Sequence, residues 1–83
     1  SRNVMTNNPT PFYAIANRKN ELLTPYDNNP YWVDECSGEE ILYVEKKEHA
    51  EEIIAKHNLK DTRIILCISD GRGDVEHLFN SIV

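Results

Sequence analysis

The residues whose types can do chemistry in this sequence are two cysteines, three histidines and one loop holding two glycines. The loop, Asp70-Gly71-Arg72-Gly73-Asp74, follows an apolar run. Glycines placed there can bring backbone amides toward a phosphate, above all where a helix begins. It lacks the third glycine of a dinucleotide turn and the Lys-Ser/Thr ending of a P-loop, and its two aspartates repel an anion. A small ligand- or nucleotide-binding protein, or an enzyme using the Asp70–Asp74 loop, is therefore the secondary reading.

A metal site would draw on Cys36, Cys67, His49, His57 and His77. His49 and His57 are eight residues apart, about 80° around a helix, and neither has a ligand at i+3 or i+4. No His-Glu-x-x-His or paired-cysteine spacing occurs. Cys36 stands among Asp34, Glu35, Glu39 and Glu40, which disfavour a thiolate nucleophile. Cys67 lies inside the apolar run, where an inert buried thiol is expected. No cofactor, metal or catalytic residue is assigned, and the chain reads as non-catalytic.

Carboxylates dominate the charged residues: 14 acidic against nine basic side chains give a net charge of −5. That balance repels a phosphate backbone unless the basic residues cluster. They do not cluster, since Arg18-Lys19, Lys46-Lys47, Arg63 and Arg72 are separated, so nucleic acid is disfavoured as a partner. Glu48, Glu51 and Glu52 can be the solvated face of a helix, with Glu52 and Lys56 paired at i, i+4. Alternatively they join Asp34, Glu35, Glu39 and Glu40 in an anionic surface that meets a basic patch on a protein partner. Tyr26, Tyr31 and Trp32 lie beside these acids, and such side chains either anchor interfaces or cover the end of a thin core. The candidate partner-binding set is Tyr26, Tyr31, Trp32, Asp34, Glu35, Glu39, Glu40 and Glu48.

These residues need a frame. Eighty-three residues, 40% hydrophobic and 28% charged, is room for one ordinary globular domain. The longest apolar stretch, Ile64 to Ile68, is of strand length, so no membrane span is expected. Ser1 to Val4, ahead of Met5, read as an expression remnant, and Thr6 to Pro11 as a flexible arm rich in turn formers. With no secretory leader, two reduced thiols and a cytoplasmic location are expected. Residues 12–83 then form the domain.

Within it, Phe12–Asn17 and Glu21–Thr24 read as a hairpin around Arg18-Lys19-Asn20. The proline-bracketed segment Pro25–Pro30 reads as a loop, Tyr31–Val33 as a short strand, Asp34–Glu40 as a second loop and Ile41–Val44 as another strand. Apolar positions Ala50, Ile53, Ile54 and His57 recur at i, i+3, i+4 and i+7, which predicts a helix over 46–58 with Asn58 in the left-handed conformation at its end. Arg63–Ile68 reads as a buried strand, which completes a β-α-β unit. Asp74 can cap a short C-terminal helix with Val75, Leu78, Phe79 and Ile82 on one stripe, and that stripe can pack against a second copy in a homo-oligomer. The fold class is α+β: a small single-layer mixed or antiparallel sheet, one main amphipathic helix packed on it and a short C-terminal helix. Ile53, Ile54, Leu66 and Ile68 are the expected core.

The runs Phe12–Asn17, Leu22–Thr24, Tyr31–Val33, Ile41–Tyr43, Lys47–His57 and Arg63–Ile68 together resemble small phage- and mobile-element-encoded β-β-α-β accessory proteins. The resemblance covers about two thirds of the chain and leaves out Asp70–Val83. It implies a single-domain accessory protein that modulates or inhibits a larger host macromolecule by binding it, in the host cytoplasm, and it carries over no catalytic residue.

Overall fold

The computed structural model describes residues 10–83. The remnant and most of the expected arm, residues 1–9, lie outside the described residues. The chain runs β1 (Phe12–Ala16), β2 (Leu22–Leu23), β3 (Trp32–Val33), α1 (Lys47–Lys56), β4 (Arg63–Ser69) and β5 (Val75–Leu78). The strands form one sheet in the order β3-β2-β1-β4-β5, with every pairing antiparallel.

The expected hairpin forms, and its turn is built from side chains as well as backbone. The Asn17 Oδ1 accepts from the amides of Lys19 and Glu21, both at 2.9 Å, and Asn20 takes a φ of 59°. Asparagine tolerates that left-handed conformation better than most residues. Beyond Ala16↔Leu22, β2 leaves the edge of β1, and Val44 takes over the vacated place by exchanging backbone bonds with Tyr13 at 2.8 and 2.9 Å. Ile41–Val44 is thus a bridge at Val44 and not a strand. The expected β-α-β unit is corrected by the same geometry: its first strand is reduced to the Val44 bridge on β1, and its second, β4, pairs antiparallel with β1 along five residues from Phe12↔Cys67 to Ala16↔Arg63.

Helix α1 ends as expected. The Asn58 amide donates to the Ala55 carbonyl at 3.2 Å, the Leu59 amide donates to the Ile54 carbonyl at 3.0 Å, and Asn58 has φ 53°. This is a Schellman ending, closed by the apolar pair Leu59 and Ile54, which share one core cluster.

The C-terminal helix is replaced by β5. Asp70 and Asp74 close a hairpin turn (Asp70 N to Asp74 O, 3.1 Å), in which Gly71 and Gly73 take φ of 82° and 93°. Those angles suit glycine and end any helical start at Asp74. Val75 and His77 then alternate with Glu76 and Leu78, and pairing to the open edge of β4 outweighs the helical spacing. The supposed stripe is dispersed: Val75 and Phe79 join the core, whereas Ile82 is 98% exposed.

Both faces of the sheet carry apolar clusters. Ile15, Leu23, Val44 and Ala50 form one under α1, with Tyr13, Trp32 and Ile64 packed around them. Ala14, Ala16, Leu22, Ile65 and Cys67 form the other, covered by Phe12, Ile41, Val75 and Phe79. The expected core therefore shifts by one position along β4. Ile65 and Cys67 are wholly buried, while Leu66 and Ile68 point to the helix side and are only half-buried, as are Ile53 and Ile54. In an antiparallel strand adjacent residues face opposite ways, and here α1 reaches Ile64 on its own side while the deeper cluster lies on the other.

Candidate functional site

The face away from α1 is crossed by the loop Asp34–Glu40, and a set of acids and aromatic rings gathers there. Tight local bonds shape the loop. The Asp34 Oδ1 accepts from the Cys36 amide at 2.8 Å, the Asp34 carbonyl from the Ser37 amide at 3.0 Å and the Ser37 hydroxyl from the Glu39 amide at 3.0 Å, while Gly38 takes φ 82°. Glu35 and Glu39 consequently project toward β5 and β3.

Each of these two carboxylates is held by one oxygen. The Tyr31 hydroxyl donates to Glu39 Oε1 at 2.9 Å, and the ring of Tyr31 stacks on Tyr26 with centroids 5.7 Å apart and planes 25° apart. Both tyrosines are open to solvent, 40% for Tyr26 and 42% for Tyr31. The donor bond to Glu39 is the main reason the Tyr31 phenol is pushed up to about 12, since the neighbouring anion disfavours a second negative charge. Thr24 fixes the base of this pair: it is buried, and its hydroxyl accepts from the Tyr31 amide at 3.0 Å.

Glu35 is held by His77, whose Nδ1 lies 2.8 Å from Glu35 Oε1. On the other side of the ring, Nε2 lies 2.7 Å from the Tyr43 hydroxyl. The phenol and imidazole planes are 13° apart, which suits the in-plane lone pair of an imidazole nitrogen. The His77 side chain is 6% exposed, packed beside Phe79 and paired across the ladder with Cys67. Tyr43 also meets Phe12 edge-on at 5.1 Å. Burial first, then the proximity of Cys67 and Glu35, pushes the Tyr43 phenol up to about 12.

Glu35, Cys36, Glu39, Tyr43, Asp74 and His77 line one open groove of about 450 Å³. Carboxylate, imidazole and hydroxyl in a row have the connectivity of a nucleophile with its base and orienting acid. A phenol pushed up to about 12 keeps its proton at neutral pH, so Tyr43 stands in this row as a neutral hydroxyl. Among the described residues no lysine or arginine pairs with a carboxylate, and the sole contact of a basic side chain with one is Glu35–His77. No group of three or more His, Cys, Asp and Glu side chains among them is arranged to hold a metal ion.

The structure thus brings together Glu35 and Glu39 in one groove, with Tyr31 bonded to Glu39 at its margin and Tyr26 stacked on Tyr31 beside Lys56 and His57 of the helix end. Asp34 shapes the loop, and Glu40 is exposed within it. Trp32 is separated from the tyrosines, because β3 alternation turns it to the helix side, where it is half-buried against the core. Glu48 is exposed in the first turn of α1 and has no recorded bond to the others. Sequence reasoning missed Tyr43, His77 and Asp74. His77 was visible only as an isolated imidazole, and the alternation of Val75-Glu-His-Leu is the one local signal that could have placed it on the face shared with Val75.

The glycine loop has little room for a phosphate. The Asp70 amide is taken by Asp74, the Arg72 and Asp74 amides by the Asp70 carboxylate, and the Gly71 amide by Ser69, and no helix start follows. Cys67 is buried, and its thiol is pushed up to about 12 by that burial, whereas Cys36 is exposed; neither is bridged. No helix of the described residues is long and apolar enough to cross a membrane. No known family model, curated protein or solved structure matches this chain.

Proposed function

We propose that the protein is a non-catalytic binding module that captures a basic segment of a protein partner in the groove between the Asp34–Glu40 loop and β5. One observation carries the reading: Glu35 and Glu39 are each fixed through one oxygen by His77 and Tyr31, beside exposed tyrosines, and neither is neutralised by a lysine or arginine among the described residues. Pre-oriented carboxylates next to aromatic faces suit a guanidinium or ammonium group, which gains both charge pairing and cation–π contact. The resemblance to phage-encoded accessory proteins supplies the wider role, modulation or inhibition of a larger host macromolecule in the cytoplasm.

The test is binding of a nona-arginine peptide followed by calorimetry at rising salt. Affinity that falls steadily with salt, and that is lost in Glu35→Gln/Glu39→Gln while the fold is kept, supports the reading. Absence of binding at low salt rejects it.

A further inference from the structure

We infer that His77 is a proton-operated switch that sets the charge and the hydrogen-bonding character of this groove. The inference rests on the groove described above but not on the identity of its ligand. A carboxylate only accepts, so the bond to Glu35 puts the neutral ring's single proton on Nδ1. Nε2 is then an acceptor, and the Tyr43 hydroxyl must donate to it. In this state the phenol turns its lone pairs toward the groove, and no lysine or arginine among the described residues pairs with Glu35, Glu39 or Asp74, so the lining side chains offer mainly acceptors.

Protonation places a second N–H on the ring, at Nε2. That N–H must donate to the Tyr43 oxygen, so the phenol keeps its proton but turns its O–H away from the ring and toward the groove. Glu35 now faces an imidazolium, and the groove gains one positive charge. The lining gains a hydroxyl donor at Tyr43, with no strand or helix having to move. The charged and titratable groups that face His77 are Glu35 from the loop, Tyr43 from the segment before α1 and Cys67 from β4, with Glu39, Asp74 and Cys36 further along the groove. Cys67 is held as a neutral thiol by burial and Tyr43 as a neutral phenol, so neither carries charge against the ring near neutral pH. A bound cation and the imidazolium repel each other, so cation binding expels the proton and acidification expels the cation.

The experiment has two readouts. Nitrogen-15 NMR of the imidazoles follows His77 from pH 5 to 8 in the free protein, together with the amides of residues 34–40 and the ring of Tyr43. The Nδ1–H tautomer at neutral pH, with loop amides and Tyr43 signals moving at the same midpoint as His77, is the expected result. It needs no variant. In parallel, nona-arginine, whose own charge is constant over this range, should bind roughly five- to tenfold more weakly at pH 5.5 than at pH 7.5, as one unit charge a few ångströms away predicts at a partly screened site. His77→Gln, which can still donate to Glu35, should bind with a flat pH profile. An Nε2–H tautomer, or loop and phenol signals that ignore the His77 titration, overturns the switch. Coupled signals without peptide binding at any pH support the switch and reject the basic-segment reading. Equal pH profiles for wild type and His77→Gln reject control of binding by His77.

Discussion

The guanidinium of Arg63 donates to the backbone carbonyl of Asn17 at 2.8 Å, across 46 residues of sequence. The same side chain reaches the carbonyl of Phe79 at 3.1 Å and the side-chain oxygen of Asn20. One arginine at the start of β4 thereby ties the β1–β2 turn to the segment after β5. A lysine has three donors, but all on one nitrogen and without the planar fork that reaches three separated acceptors.

Arg63→Ala should therefore destabilise the fold by about 2 kcal/mol, the scale of hydrogen bonds from a charged donor in a half-buried setting, and Arg63→Lys should recover only a part. Urea unfolding followed by circular dichroism checks this. Midpoints equal to wild type in both variants would mean that the clamp adds nothing.

Core truncations should rank by depth and not by apolarity. Ile15→Ala and Ile65→Ala remove wholly buried groups and should cost roughly 2–5 kcal/mol each, enough to unfold much of so small a protein. Ile68→Ala, at a half-buried position, should cost clearly less. The reverse order in thermal melts would place the deep cluster on the wrong face of β4.

Raised phenol and thiol values make the fold sensitive to alkali. Tyr31 and Tyr43 go from 10 to about 12 on folding and Cys67 from 9 to about 12. Between these limits the unfolded chain releases protons that the folded chain keeps, so stability falls as pH rises. Their contribution is complete below about pH 9 and is lost toward 12. Ultraviolet titration should show two of the four tyrosines ionising late, and melting temperature should drop across the same interval. Early ionisation of Tyr31 and Tyr43 would contradict the Tyr31–Glu39 bond and the burial of Tyr43.

Thiol counting separates the two cysteines. Ellman's reagent should label Cys36 quickly in the native protein and Cys67 only after denaturation, since one is exposed and the other buried. Rapid labelling of both would show that the cluster around Ile65 opens readily.

At the interface, Tyr26→Ala should weaken capture of a basic peptide by about 2 kcal/mol, the usual scale for an aromatic anchor. Glu39→Lys should also remove the salt dependence in proportion to its charge. Trp32→Ala should instead lower the melting temperature and leave the affinity of the folded fraction alone. A Trp32 variant that folds normally and fails to bind would move the site to the helix side.

Local patterns were enough to read the β1–β2 hairpin, α1 with its Asn58 ending and the β4 strand, because each is decided within a few residues. Val75 to Ile82 was ambiguous: its spacing fits one face of a helix, while Val-Glu-His-Leu fits strand alternation. The decision came from an unfilled sheet edge elsewhere, which no local window contains. The same distance hid half of the site. Tyr31 and Glu39 lie close enough in sequence to be suspected together, whereas Glu35 and Tyr43 meet His77 across 42 and 34 residues. Burial along β4 was misassigned because the run Ile64–Ile68 is apolar at every position, so only the neighbouring strands reveal which side is deeper.

The pairing of β1 with β4 also bears on how the protein comes into being. Translation delivers β1 and β2 before β4, and those first two strands share the single register pair Ala16↔Leu22. The opposite edge of β1, from Phe12 to Ala16, has its ladder partners in Cys67 back to Arg63, which emerge from the ribosome only after α1 has been made. Long-range closure of this kind is slow and leaves apolar surface open meanwhile. The nascent chain is therefore a natural client for chaperones, and a message truncated before the codon for Arg63 encodes a polypeptide that has no means of closing its sheet.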